Sequence, residues 1–154
     1  METQKDFKEL LALFAANKVD YLIVGAHALA YYGAPRYTGD IDLFVRPDRD
    51  NAKRVLRALH DFGFDAVDLS VEDFSLPDQV VQLGVPPVRI DILTSITGVT
   101  WDAAAASRVE GRYGDLAVYY LGKGEFVLNK RATGRKKDLA DLEAIGDPLA
   151  DKGE

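Results

Sequence analysis

The sequence contains no cysteine, one tryptophan, one methionine and two histidines. Without cysteine there is no disulfide framework and no thiolate metal site. With only His27 and His60, a histidine-built metal cluster is excluded as well. No apolar run is long enough to span a bilayer, and the opening METQKDFKEL lacks a signal-peptide pattern. These absences set the expectation of a cytoplasmic protein with no membrane partner. An excess of positive charge is missing too. The formal net charge of −6 argues against a domain whose main task is to coat nucleic acid, although it leaves room for a local basic groove.

What is present is enough chain for one packed core: 154 residues, 47% of them hydrophobic, with no internal repeat, low-complexity tract or linker. Phe7, Leu10, Leu11 and Phe14 recur at helical spacing and predict an amphipathic helix opening near Thr3. Tyr21 to Val24 reads as a buried strand ending at Gly25, followed by a short helix from His27 to Tyr32 that Gly33 and Pro35 close. Pro47 and Asp48 start another helix, ended by Gly63. Asp65 to Leu69 is a candidate short strand, and Val71 to Leu76 a brief helical turn. Gln79 to Leu83 and Val88 to Leu93 flank a Gly-Val-Pro-Pro turn and predict a hairpin, which makes part of the sheet antiparallel. Trp101 to Val109 predicts a short helix with Trp101 in the core. A second hairpin forms about Gly114-Asp115, and two tail helices cover Glu125 to Ala132 and Lys136 to Ile145.

The unusual stretch is Asp40-Ile41-Asp42-Leu43-Phe44-Val45. Strand side chains alternate between faces, so Asp40 and Asp42 point one way while Ile41, Leu43 and Val45 enter a core. Aspartate is depleted in strands, and two side by side repel unless a positive charge sits between them. Asp91, inside Val88 to Leu93, is a third acid in the same setting. Three such carboxylates on neighbouring strands suit hard divalent cations, and in phosphoryl chemistry two of these stand about 3.5–4 Å apart. The competing reading is a set of strand-end acids neutralised by a nearby arginine. A helix start just after Gly25 offers free N–H groups to a phosphate, a weak signal alone.

These residues resemble a family. Gly25-Ala26, Asp40-Ile41-Asp42 and Asp91 are similar to the nucleotidyltransferase fold of the DNA polymerase β superfamily. Within it, Val24 to Val45 resembles small bacterial nucleotidyltransferases related to abortive-infection, or toxin–antitoxin, proteins, whose Arg-x-Thr-x-Asp-Ile-Asp run is matched by Arg36 to Asp42. Their later lysine is matched by Lys130, and their arginine–lysine–aspartate cluster by Arg135, Lys137 and Asp138, with Asp141 one turn on. The family's second glycine-turn residue, Gly or Ser, is here Ala26, which keeps the N–H but removes a hydroxyl.

The resemblance implies an α/β (α+β) domain over 1–154, with a mixed sheet, helices mainly on one face and a short helical tail; the core covers about 20–121 and the tail about 124–146. It implies metal-dependent transfer of a nucleotidyl group from an NTP to an acceptor hydroxyl, releasing pyrophosphate. Asp40, Asp42 and Asp91 would hold Mg²⁺ or Mn²⁺. Gly25, Ala26, Arg36, Thr38, Lys130 and Arg135 would bind the nucleotide. The acceptor implied is tRNA or a protein, with a homodimer or a toxin–antitoxin partner as further associations. Blander readings stand beside several of these: Arg36 as a solvated loop residue, Thr38 as a strand starter, Lys130 and Arg135 as part of a solvated helix pair. His27 is expected to face solvent at its helix start. Tyr31, Tyr32 and Tyr37 offer either a stacking surface or rim packing. A non-catalytic module on the same fold, or a nucleic-acid-binding domain, are the alternatives from other classes.

Overall fold

The computed structural model describes residues 4–34, 39–64, 68–85 and 88–146. Among them are six strands: β1 (Tyr21–Val24), β2 (Asp40–Val45), β3 (Val80–Val85), β4 (Val88–Leu93), β5 (Val109–Tyr113) and β6 (Leu116–Tyr120). They form one sheet in the order β3-β4-β2-β1-β6-β5. The sheet is mixed: β1–β2, β3–β4 and β5–β6 are antiparallel, while β2–β4 and β1–β6 are parallel. The two hairpins are those expected. Asp68 and Leu69 belong to no strand, and the rest of the candidate strand at 65–69 lies outside the described residues.

Seven helices accompany the sheet: α1 (Lys5–Ala16), α2 (Gly25–Tyr31), α3 (Arg49–Phe62), α4 (Glu72–Ser75), α5 (Trp101–Ala106), α6 (Lys123–Thr133) and α7 (Lys136–Ala144). Their ends follow local chemistry. Asp48 caps α3 by accepting a hydrogen bond from the Asn51 N–H, and Gly63 ends it in the left-handed conformation. Asn51 is fully buried and uses both ends of its amide: Oδ1 accepts from Asp20 N, and Nδ2 donates to the Asp20 and Arg46 carbonyls. A buried amide satisfied in this way fixes where β1 begins and β2 ends.

Register decides which side chains share a face. Tyr21 pairs with Val45 and Ile23 with Leu43; this face is dry, with Ile41, Leu43 and Val45 wholly buried. Helix α1 packs on it, Phe14 meeting Tyr21 edge-on at 5.5 Å. On the other face Leu22 pairs with Phe44 and Val24 with Asp42. Trp101 of α5 covers part of that face, its ring 5.1 Å from Phe44 and edge-on to it. Trp101 itself is only half-buried, a partial departure from the expected core position. The uncovered end of the second face is where the aspartates stand.

Candidate active site

In the parallel β2–β4 pair, Asp40 lies opposite Arg89 and Asp42 opposite Asp91. All four side chains therefore emerge on one face, two from each of two adjacent strands. Gly25 closes the third side. It has φ +68°, and a Cβ there would collide with the Asp42 carboxylate, so the turn admits only glycine. Helix α2 starts at Gly25 itself, two residues earlier than the expected His27. Gly25, Ala26, Asp40, Asp42, Asp91, Lys130 and Arg135 line one cleft of about 500 Å³, within the about 300–1,000 Å³ range of small-molecule sites. Arg36 and Thr38 lie outside the described residues.

The acids crowd one another. Burial pushes the Asp42 carboxyl up from its ordinary 3.8 to about 7, helped by the charge of Asp91, a hydrogen bond shared with it and the charge of Asp40; Lys130 opposes the shift. A carboxylate reluctant to ionise beside two others is a site that gains by taking up a cation. Among the described residues, Arg89 is bonded to two of these acids. Its Nε donates to Asp91 Oδ1 at 3.1 Å, and its Nη2 donates to Asp91 Oδ2 at 3.2 Å and to Asp40 Oδ2 at 2.9 Å. Asp40 and Asp91 thus share one guanidinium, and Asp42 stands beside Asp91. Among the described residues, no group of three or more acidic or imidazole side chains is gathered as it stands to hold a metal; the set is closed around the arginine instead. The donor chemistry nevertheless fits Mg²⁺ or Mn²⁺, being all-oxygen and carboxylate.

Arg89 has a role that the sequence reading did not assign, although the signal was there. It stands two residues before Asp91, so the alternation that aims Asp91 into the cleft aims Arg89 there too.

Across the cleft, α6 and α7 present the basic cluster in an unexpected state. Lys130 is 9% exposed, Asp141 2% and Asp138 not at all. The Lys130 Nζ lies 3.4 Å from Asp138 Oδ1 and 3.4 Å from Asp141 Oδ2. Asp138 also accepts from Thr133 Oγ1 at 2.7 Å, Arg135 Nε at 2.7 Å and Arg135 Nη2 at 3.2 Å. Burial alone would raise its pKa, but the bonds from Arg135 and Thr133 outweigh it and hold the carboxyl well below the usual range. Asp138 thus orients both Lys130 and Arg135, and the solvated-helix reading fails for Lys130. His27 corrects a second expectation. It is 4% exposed, because Phe7 from α1 and Tyr113 from β5 close on its ring.

No protein-family profile and no curated protein matches the sequence. Solved structures do match in shape. The lincosamide antibiotic adenylyltransferase LnuA, solved with lincomycin bound, superposes with a TM-score of 0.62 at 18% identity, over 94% of this chain and 97% of that one. A candidate nucleotidyltransferase from Thermotoga maritima gives 0.60 at 16% identity, over 89% and 88%. The chain has a nucleotidyltransferase fold. A nucleotidyltransferase-like protein from Paracoccidioides brasiliensis adds a third likeness, with a TM-score of 0.55 at 17% identity over 93% of this chain and 75% of that one. At these identities the likeness is one of fold. What the nucleotidyltransferase fold does here must be argued from the cleft. Among the described residues no helix is long and apolar enough to cross a membrane.

Proposed function

We propose that the protein transfers a nucleotidyl group from an NTP to an acceptor hydroxyl in a metal-dependent reaction that releases pyrophosphate. The observation that carries this reading is the register match of Asp42 with Asp91, beside Asp40, on one face of the sheet, with the Asp42 carboxyl pushed up to about 7 by burial and by its neighbours. A buried carboxyl crowded by two others and lining a cleft marks a functional site more often than a structural one.

Asp40, Asp42 and Asp91 are the residues to hold Mg²⁺ or Mn²⁺, which when bound supply Lewis-acid activation of the hydroxyl and neutralise the triphosphate. Asp91, nearest to Asp42, aligns the attacking hydroxyl and takes its proton. Arg89 holds the carboxylates together before loading, and its guanidinium then turns to the phosphates. Gly25 and Ala26 give backbone room and N–H groups to the triphosphate. Lys130, oriented by Asp138 and Asp141, neutralises charge that develops on the leaving pyrophosphate, with Arg135 at the cleft edge. Arg36 and Thr38 join the nucleotide site on the strength of the sequence run alone.

For the acceptor, the sequence resemblance to abortive-infection proteins favours tRNA or a protein. The near-complete overlap with the lincosamide enzyme adds a small hydroxyl compound, since that protein acts on an antibiotic with no extra domain to speak of. Incubation with each α-labelled NTP, Mg²⁺ or Mn²⁺, and in turn cell RNA, cell protein and a lincosamide decides among them. Label is expected on one of the three, and to disappear with Asp42→Asn. No transfer from any NTP, together with no calorimetric uptake of Mn²⁺, would leave the fold serving as a non-catalytic module.

A further inference from the structure

Between β4 and α5 the chain makes a tight turn, Ile96-Thr97-Gly98-Val99, closed by an antiparallel bridge between its first and last residues. Gly98 stands at the third position with φ +81°, the left-handed value that a type II turn requires there. In that turn type the peptide between the two central residues is flipped relative to type I, and its carbonyl with it. Here the carbonyl belongs to Thr97, and it accepts a hydrogen bond at 2.9 Å from Asn129 Nδ2 on α6.

The turn meets α6 at a second point. A Cβ on Gly98 would stand 2.6 Å from the Ala132 Cβ and 3.4 Å from the Leu128 carbonyl oxygen, so a side chain there would push the helix away. Asn129 and Ala132 are three residues apart and share one face of α6. Lys130 and Thr133, spaced alike, share the next face, and both bond to Asp138. Helix α6 is thus held on two sides, by α7 and by the turn.

The two ties fix different things. Asp138 and Asp141 aim the Lys130 ammonium, but they belong to the same tail and do not set its distance from the sheet. The turn does, because it continues the strand that carries Asp91. Ser95, Ile96, Thr97 and Asn129 line the cleft together with Asp91 and Lys130. The seam between turn and helix is therefore one of the cleft's own walls.

We propose that Asn129 and Gly98 are positioning residues that set the span between the Asp91 strand and Lys130, and so the grip of Lys130 on pyrophosphate. The inference rests on the nucleotidyl-transfer reading and adds to it two residues that act through Lys130. The amide of Asn129 suits the place because Nδ2 is a donor turned to a carbonyl. An aspartate of the same shape would set two acceptors against each other.

Calorimetry separates the two walls: inorganic pyrophosphate with Mg²⁺ reads the Lys130 side, and Mn²⁺ alone reads the carboxylates. Asn129→Ala and Gly98→Ala are each expected to weaken pyrophosphate about tenfold, the worth of a charged hydrogen bond out of place, with Mn²⁺ uptake as in the native protein. Together they should lose no more than either alone, because both open one seam. Asn129→Asp should bind at least as poorly as Asn129→Ala. In a Lys130→Gln background, Asn129→Ala should cost nothing further, and this pair carries the test should Gly98→Ala fold poorly. Native-like pyrophosphate affinity in Asn129→Ala, an undiminished further loss in the Lys130→Gln background, or a parallel loss of Mn²⁺ uptake would each overturn the seam alone. A native protein that takes up Mn²⁺ but no pyrophosphate would sink the transfer reading, and this inference with it.

Discussion

Two clusters of charge face each other across the cleft, and they have settled in opposite ways. On the α6–α7 side, Asp138 is wholly buried and yet easily ionised, because Lys130, Arg135 and Thr133 saturate its oxygens. On the sheet side, Asp42 is half-buried and resists ionisation, first because burial strips away its water and then because two further carboxylates stand beside it. Burial penalises both carboxyls; the donors within reach decide which of them stays ionised. The first cluster is complete within the chain and positions Lys130. The second crowds Asp42 against Asp91 and Asp40, with Arg89 bonded to the latter two.

The sharpest way to break this contrast is at Asp42. If the sheet cluster is the catalytic centre, Asp42→Ala should lower nucleotidyl transfer by about 10³-fold or more and reduce Mn²⁺ uptake in calorimetry, with little loss of fold. The matching change on the other side should show first in stability, with transfer falling because Lys130 loses its positioning. Asp138→Ala leaves the Lys130 ammonium buried with Asp141 and removes the anchor of α7, so it should cost about 3–5 kcal/mol in urea unfolding. If both variants behave alike, the division between a finished and an unfinished cluster fails.

A third change probes Arg89. Arg89→Met removes the guanidinium that is bonded to Asp91 and Asp40 and that a metal would displace. Mn²⁺ should then bind about tenfold more tightly while the metal-free protein melts at a lower temperature. Weaker metal binding would show that Arg89 supports the loaded site rather than standing in for its cation.

The smallest effect is a pH dependence. The Asp42 carboxyl is raised from 3.8 to about 7 in the folded protein, so the folded state holds a proton that the unfolded chain has already lost. Its contribution to stability is full below about pH 4 and disappears as pH rises through about 7. Asp42→Asn, which cannot ionise, should therefore melt about 2–4 °C above the native protein in chelator at pH 8. The gap should close by pH 4. A gap that widens on acidification would mean that Asp42 is paired with a cation and not crowded by acids.

Much of the cleft was legible in the chain because it is built on strands. A period of two is enough to put Asp40 and Asp42 on one side and Ile41, Leu43 and Val45 on the other. The Gly-Val-Pro-Pro turn was enough to predict the hairpin that carries Asp91. Nothing local fixes the pairing of β4 with β2, so the meeting of Asp91 with Asp42 rested on the family resemblance. Arg89 went unassigned because its partners include Asp40, 49 positions away. His27 was misplaced for a related reason: its small apolar neighbours in sequence, Ala26, Ala28 and Leu29, gave no hint that Phe7 and Tyr113 converge on it. Lys130 was assigned to the cleft, but its burial depends on the way α7 folds back, which helical spacing does not report. Arg36 and Thr38 fall outside the described residues, so their part in the site stands on the sequence alone.

The parallel alignment of β2 with β4 has a consequence for how such a protein can change. The spacing of the acidic groups is dictated by the backbone ladder joining the strands, about 4.7–4.9 Å from one to the next, and not by the 42 positions of chain that run between Val45 and Val88. The loops within that stretch can be lengthened, shortened or exchanged without retuning the reactive centre. What cannot be tolerated is a slide of one strand past the other by a single residue. That would turn the carboxylates into the oily layer beneath and bring isoleucines up in their place.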